Sequence, residues 1–396
     1  MLPLQLLESL INFEGFDKEA FEKVHASGDQ ITTVRLNPLK NLKPQAFNNK
    51  LTQVPWAQSG FYLESRPSFT FDPLFHAGTY YVQEASSMFL EQALKQTGDL
   101  SKPIKVLDLC ASPGGKSTHI QSLISQESLL VSNDVIRSRA NVLKDNIIKW
   151  GCENVVVTNN DPKDFSKLEN YFDVIVVDAP CSGSGLFRRD PTAIEEWSEN
   201  NVQLCSQRQQ RILADVWPAL KKDGILIYST CSYSKEEDED IMDWITDNLP
   251  TSNVQLEIDD KWGITETTSI KENHGYRFWP DKVKGEGFFL SCFQKKDGEN
   301  DDIFRYKKKP EEAKKDELAM IEEWVEKEGF NFIKYKNTVY AWPESLVKDF
   351  SMLLEQLRVI YSGVLTGELM RNKLVPDHAL AMSKIMVDTI IRTEVG

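Results

Sequence analysis

Six short apolar runs, at residues 104–109, 128–133, 154–158, 172–177, 224–228 and 287–292, alternate with stretches of helical patterning. Their apolar residues are continuous rather than alternating, the pattern of strands covered on both faces. Parallel strands need crossover connections, and the intervening helices supply them. The chain is therefore expected to hold a doubly wound α/β domain around a mostly parallel sheet. Such folds bind ligands outside the carboxyl ends of their strands, so the residues just after each run are where chemistry is sought.

At 396 residues the chain has room for two or three domains, and no apolar run reaches the roughly 20 residues that span a bilayer. Its first residues carry no basic segment and meet Glu8 and Glu14 early, which reads as a first helix of a cytoplasmic protein rather than a signal peptide. The six cysteines, Cys110, Cys152, Cys181, Cys205, Cys231 and Cys292, are scattered without a Cys-x-x-Cys pair, so neither a disulfide framework nor a metal site is expected. The net charge of −14 would argue against a polyanionic partner if it were evenly spread. It is not: residues 236–260 hold ten acids and no Lys or Arg, whereas residues 101–235 hold sixteen charges of each sign. Nucleic acid is therefore not excluded. No membrane partner is expected, and a monomer is.

Residues 1–80 read as a small α+β module, residues 81–297 as the α/β domain, residues 298–317 as a charged linker, and residues 318–396 as a further small α+β region that lacks an obvious closing element.

The first run leads into Cys110-Ala-Ser-Pro-Gly-Gly-Lys-Ser117. Glycines at a strand-to-helix turn let backbone approach a ligand. A triphosphate loop needs glycine five residues before Gly115, where Cys110 stands, and a dinucleotide fingerprint needs spaced glycines where only Gly114 and Gly115 occur. Asp134, Asp161 and Asp178 follow the second, third and fourth strands. Each alone suits a helix cap. Together they suit a nucleoside lacking phosphates, held by carboxylates rather than arginines, which points to S-adenosylmethionine.

The fourth strand ends in Asp178-Ala-Pro-Cys181 and the fifth in Ser229-Thr-Cys231. A free cysteine is usually a small buried hydrophobe. Two at the ligand-binding rim suit methylation of a pyrimidine at C5, a carbon too poor in electrons to attack a sulfonium methyl unaided. A thiolate that adds to C6 makes C5 nucleophilic, and a second acid/base group then helps remove the C5 proton. Asp178 could stabilise a protonated N3. Strand-end position does not rank the two cysteines.

These motifs together resemble the Sun/Nop family of RNA (cytosine-5) methyltransferases, with Arg35-Leu-Asn-Pro38, Gln83-Glu-Ala-Ser86 and His274-Gly-Tyr-Arg-Phe-Trp-Pro280 matching its flanking motifs. The resemblance implies a Rossmann-like S-adenosylmethionine-dependent domain. In it Cys231 is the nucleophile and Cys181 assists proton removal or release. Cys110, Ala111, Ser112, Pro113, Gly114, Gly115, Lys116, Asp134, Asp161 and Asp178 bind the cofactor, and Asp178 also borders the base. It further implies an RNA-binding N-terminal module and a C-terminal, PUA-like RNA-binding region. Leu365-Thr-Gly-Glu-Leu369 and Pro376-Asp-His-Ala-Leu-Ala381 are similar to the start of that region in bacterial enzymes acting on 16S ribosomal RNA, so 16S RNA or the 30S subunit is the expected partner. Because a stacked base is out of reach, the cytosine must be unpaired or flipped. Arg35, Arg188 and Arg189 are candidates for phosphate contacts. A transfer-RNA methyltransferase is the alternative. A non-enzymatic assembly factor would be expected to lack one of the two intact motifs.

Overall fold

The computed structural model describes residues 2–40, 51–298 and 309–387. Its central sheet is built from β1 (Lys105–Asp108), β2 (Leu129–Asn133), β3 (Val155–Thr158), β4 (Phe172–Asp178), β5 (Leu220–Thr230), β6 (His274–Phe278), β7 (Phe288–Lys295) and β8 (Val359–Ser362), in the order β6-β7-β5-β4-β1-β2-β3-β8, with Thr265–Thr268 outside β6 and Thr251–Val254 pairing β7. β1 to β5 run parallel, as the continuous apolar runs require, and β6, β7 and β8 are antiparallel additions. The strand order reverses between β1 and β4, which opens a crevice at their carboxyl ends.

Alternate residues of each strand feed two cores. Val106, Val155, Val157 and Val176 pack with Leu143 and Ile147 of helix α2 (Arg137–Trp150) and with Ile120 of helix α1 (Gly115–Gln121). Leu107, Val131, Val156 and Val177 face Ile212 and Leu213 of helix α3 (Glu199–Val216) and Ile241 and Ile245 of helix α4 (Glu239–Asn248). Each such burial contributes about 1.5–3 kcal/mol. The sheet is thus fixed from both sides while its carboxyl rim stays free for a site.

The described residues before the α/β domain include the helices Leu4–Leu10, Lys18–Ala26 and Pro73–His76, and a four-stranded sheet that includes Thr33–Leu36 and Tyr80–Tyr81. Two differences from the sequence reading concern the C-terminal half. The stretch expected as linker carries a short strand, Glu311–Glu312, and the start of the helix Lys315–Glu322, while residues 299–308 lie outside the described residues. The region after it is not set apart from the α/β domain. β8 pairs with β3 across the sheet edge, and Phe350 and Leu353 of helix α5 (Val347–Gln356) enter the second core. The physical reason is that β3 would otherwise present an open row of backbone donors and acceptors. The rest of this region closes a separate five-stranded sheet around Phe332, Val339, Val364 and Leu380.

Candidate active site

β1 runs through Cys110, Ala111, Ser112 and Pro113 into Gly114, whose φ of +114° is a backbone conformation that side chains rarely adopt. Gly115 follows, and a Cβ there would meet the Tyr81 ring at 3.3 Å, so the turn lies close against the N-terminal module. Arg35, expected at RNA phosphate, is instead fully buried behind this turn. It donates to Gln83 Oε1 (2.8 Å), Thr118 Oγ1 (2.6 Å), Ser122 Oγ (3.0 Å) and the carbonyls of Gly115 and Thr118 (both 3.3 Å), and it lies 4.6 Å from the Trp150 ring. Its donors are all used inside the fold. Arg35 braces the turn and does not face RNA.

The turn opens on a cavity of about 320 Å³ whose lining includes Tyr81, Glu84, Cys110, Ala111, Ser112, Pro113, Gly115, Lys116, Asp178, Arg189, Cys231 and Phe288. That volume lies within the range of small-molecule sites. Asp178, at the end of β4, accepts from Ser229 Oγ (2.9 Å) and pairs with Lys116 Nζ at 2.8 Å. Burial works against the lysine's charge, but Asp178 outweighs it and holds the ammonium above its usual range. Burial, reinforced by Asp108 and Asp178, also pushes the Cys110 thiol up, which keeps it an unreactive wall.

Asp134 and Asp161 are not among the lining residues. Asp134 is buried, its Oδ1 accepting from Ile136 N (2.9 Å) and its Oδ2 3.5 Å from Arg139. Asp161 accepts from Lys163 N (3.1 Å) and lies 3.5 Å from Arg211. Asp161 caps the short helix Pro162–Lys167, whereas Asp134 makes a local turn contact two residues ahead of its own position, and the second oxygen of each lies against an arginine.

Cys181 and Cys231 meet across the rim, their sulfurs 3.0 Å apart. The hydrogen bond to Cys231, then burial, holds the Cys181 thiol well above its ordinary range. The strand-end positions bring these two together with Asp178 and the glycine-rich turn. They do not bring Arg188, which is withdrawn like Arg35: its side chain is 3% exposed and its Nε and Nη2 donate to both oxygens of Glu286 at 3.0 Å. Arg189, next to it, is exposed on the cavity wall and has no carboxylate partner among the described residues.

Sequence reasoning also left two motifs without a role. Gln83 holds Arg35, and Glu84 accepts from the backbone N–H groups of Ser86, Ser87 and Glu286, which shapes the wall opposite the turn. Arg277 pairs with Asp238 (3.1 Å) and with Glu239, both buried, so part of the expected acidic patch is interior structure. The signal was the arginine in the 274–280 motif, an isolated cation on a strand that is otherwise buried.

The sheet order, the glycine-rich turn at the reversal point and the cleft beneath it define a Rossmann-like S-adenosylmethionine-dependent methyltransferase. Residues 96–294 match the model of the 16S rRNA methyltransferase RsmB/F family, and the chain belongs to that family. Residues 2–85 match the N-terminal domain of 16S rRNA methyltransferase RsmF, and residues 317–383 match the RsmF first C-terminal domain. The chain is 35% identical over 274 residues to a ribosomal RNA small subunit methyltransferase F from Psychromonas ingrahamii, covering 66% of this chain and 56% of the relative. It is 31% identical over 298 residues to the protein of that name from Escherichia fergusonii, covering 74% and 61%. The chain thus spans little more than half the length of these curated relatives. A methyltransferase homologue from Pyrococcus horikoshii superposes with a TM-score of 0.60 at 28% identity, covering 74% of this chain and all of that one. NSun6 from the same organism, solved with SFG, shares the fold with a TM-score of 0.64 at 19% identity over 75% of this chain and 99% of its own.

Among the described residues no cluster of His, Cys, Asp and Glu could hold a metal ion, and no helix is long and apolar enough to cross a membrane.

Proposed function

We propose that this chain methylates C5 of a cytosine in RNA, with 16S ribosomal RNA, free or in the 30S subunit, as substrate, and that it acts as a cytoplasmic monomer. The observation that carries the reading is the 3.0 Å approach of Cys181 and Cys231 at a cleft of cofactor size. Cys110 to Lys116 and Asp178 would hold S-adenosylmethionine, with the second oxygens of Asp134 and Asp161 toward its nucleoside end. When bound, the cofactor supplies an electrophilic sulfonium methyl group.

The chain's own groups do the rest. The Cys231 thiolate adds to C6, and the displaced electron pair makes C5 a carbon nucleophile. Asp178, steadied by Lys116 and Ser229, accepts from a protonated N3 during the addition. Once C5 carries its methyl group, Cys181, having released its own thiol proton to solvent, takes the C5 proton as a thiolate, the C5–C6 double bond reforms and the Cys231 thiolate leaves. The raised proton affinity of Cys181 makes its thiolate a strong base for that step. RNA would enter past Arg189, which also borders a neighbouring recess of about 180 Å³ lined by Gln30, Thr32 and Arg66. The N-terminal module and the C-terminal region would hold flanking RNA.

Wild type, Cys231→Ala and Cys181→Ala incubated with unmethylated 16S RNA or 30S subunits and S-adenosylmethionine test this. Cys231→Ala should lose methylation by about 10³-fold or more and form no adduct. Cys181→Ala should accumulate an RNA adduct that survives denaturing gels. Methylation by Cys231→Ala would overturn the nucleophile assignment, and modification of transfer RNA alone would overturn the substrate.

A further inference from the structure

The two cysteines sit on separate loops, 50 residues apart in sequence, yet their sulfurs lie 3.0 Å apart. The residue that follows each cysteine is a serine, and both serines reach the same carboxylate. Glu237 Oε1 accepts from Ser182 N (2.8 Å) and from Gln209 Nε2 (3.2 Å), while Oε2 accepts from Ser182 Oγ (2.5 Å) and Ser232 Oγ (2.6 Å). Ser232 Oγ in turn accepts from Ser234 N at 3.0 Å, and Gln209 also donates to the carbonyl of Pro180, the residue before Cys181. Glu237 is fully buried, and its own carbonyl accepts from Tyr228 Oη at 2.7 Å, so the carboxylate is fixed from behind.

We infer that Glu237 is a positioning residue that locks the Cys181 and Cys231 loops in register. This rests on the two-cysteine reading of the site. A surface anion would have no reason to be buried without a cation among its four contacts. A buried carboxylate that accepts four hydrogen bonds is stable only while every donor is in place, so movement of either loop leaves it under-satisfied. The same argument extends along the segment: Asp238 Oδ1 accepts from Thr230 Oγ1 (2.6 Å), the residue before Cys231, so the nucleophile is tied on both sides by consecutive acids. Burial holds the Glu237 carboxyl above the usual carboxylate range, against the hydrogen bonds that favour its charge.

The loops are also joined by Gly185 N donating to the Cys231 carbonyl (2.8 Å) and Tyr233 N donating to Ser184 Oγ (2.9 Å). Those links remain when the carboxylate is changed, so Glu237→Gln keeps shape and fold while replacing two accepting contacts by a donor. Misplacement of reacting groups by about 1 Å costs on the order of 100-fold in rate. For Glu237→Gln the expected result is a kcat lower by about that factor, with KM for RNA and for S-adenosylmethionine changed less than about threefold.

The second readout needs no RNA: the pH dependence of Cys231 alkylation by iodoacetamide, mapped by peptide mass. The midpoint should shift in Glu237→Gln, because the two sulfurs no longer keep their 3.0 Å contact. Ser232→Ala and Ser182→Ala, each of which cuts one thread, should move it in the same direction by less, and they carry the test if Glu237→Gln does not fold. A folded variant with unchanged midpoint and kcat, or one in which only KM rises, overturns the inference. If wild type itself methylates no RNA, the functional reading fails, while the alkylation midpoints still decide the role of Glu237.

Discussion

Asp108 ends β1 two residues before Cys110 and is fully buried, with Ser117 Oγ donating to Oδ2 at 2.6 Å and no partner for Oδ1 among the described residues. Burial pushes its carboxyl up to about 7, against the opposing hydrogen bond from Ser117 and with help from Asp178. Between pH 4 and 7 the folded chain therefore keeps a proton that the unfolded chain has released. The contribution to stability is fully present below the unfolded value and is lost as pH rises through about 7. Denaturant unfolding of the cofactor-free chain from pH 4 to pH 8 should show wild type losing on the order of 4 kcal/mol relative to Asp108→Asn. Parallel pH profiles for the two would show that Asp108 keeps one charge state in both forms. At this scale the sequence was legible where chemistry follows from residue type at a strand end, as for Cys181, Cys231 and Asp178. It was not legible where burial decides. Arg35 and Arg188 look like phosphate binders and Glu237 looks like one acid in a solvated run, because their partners Thr118, Glu286 and Ser182 lie tens of residues away.

Among elements, the parallel strands could be read because a strand buried on both faces must be apolar throughout. β8 could not. Its partner β3 lies about 200 residues earlier, and the stretch around Tyr361 carries no pattern that distinguishes an added edge strand from any short strand. Its attachment turns on Gly363, whose N–H donates to the Val155 carbonyl at 2.9 Å and whose φ is +61°. A Cβ there would lie 2.3 Å from the Ala341 carbonyl oxygen, a backbone atom that cannot swing aside. Gly363→Ala should therefore cost more than the roughly 1 kcal/mol of an unfavourable φ alone, about 2 kcal/mol or more. Amide exchange should quicken in β3 and β8 together, since the two share one ladder. Quickening confined to β8 would mean that the strand is a docked flap and β3 is held by β2 alone.

For the whole molecule, the net charge of −14 overstates the field that an approaching polyanion meets. Glu237, Asp238 and Glu239 are interior, and Arg277 neutralises part of that cluster. The rim of the site keeps exposed cations at Arg189 and Arg66, on one continuous wall of cavity and recess. RNA binding should then be carried by a small number of local phosphate contacts working against a mildly repulsive whole. Each contact with single-stranded RNA adds about 0.7 to the slope of log affinity against log salt concentration. Arg66→Ala and Arg189→Ala should each weaken binding to 16S RNA at low salt and flatten that slope by about 0.7, leaving cofactor binding unchanged for Arg66→Ala, which lies outside the main cavity. Fluorescence anisotropy from about 50 to 200 mM salt measures both quantities. An unaltered slope in both variants would move the RNA path off this wall and onto the terminal modules, because the phosphate charges must be met somewhere on a chain whose overall sign repels them.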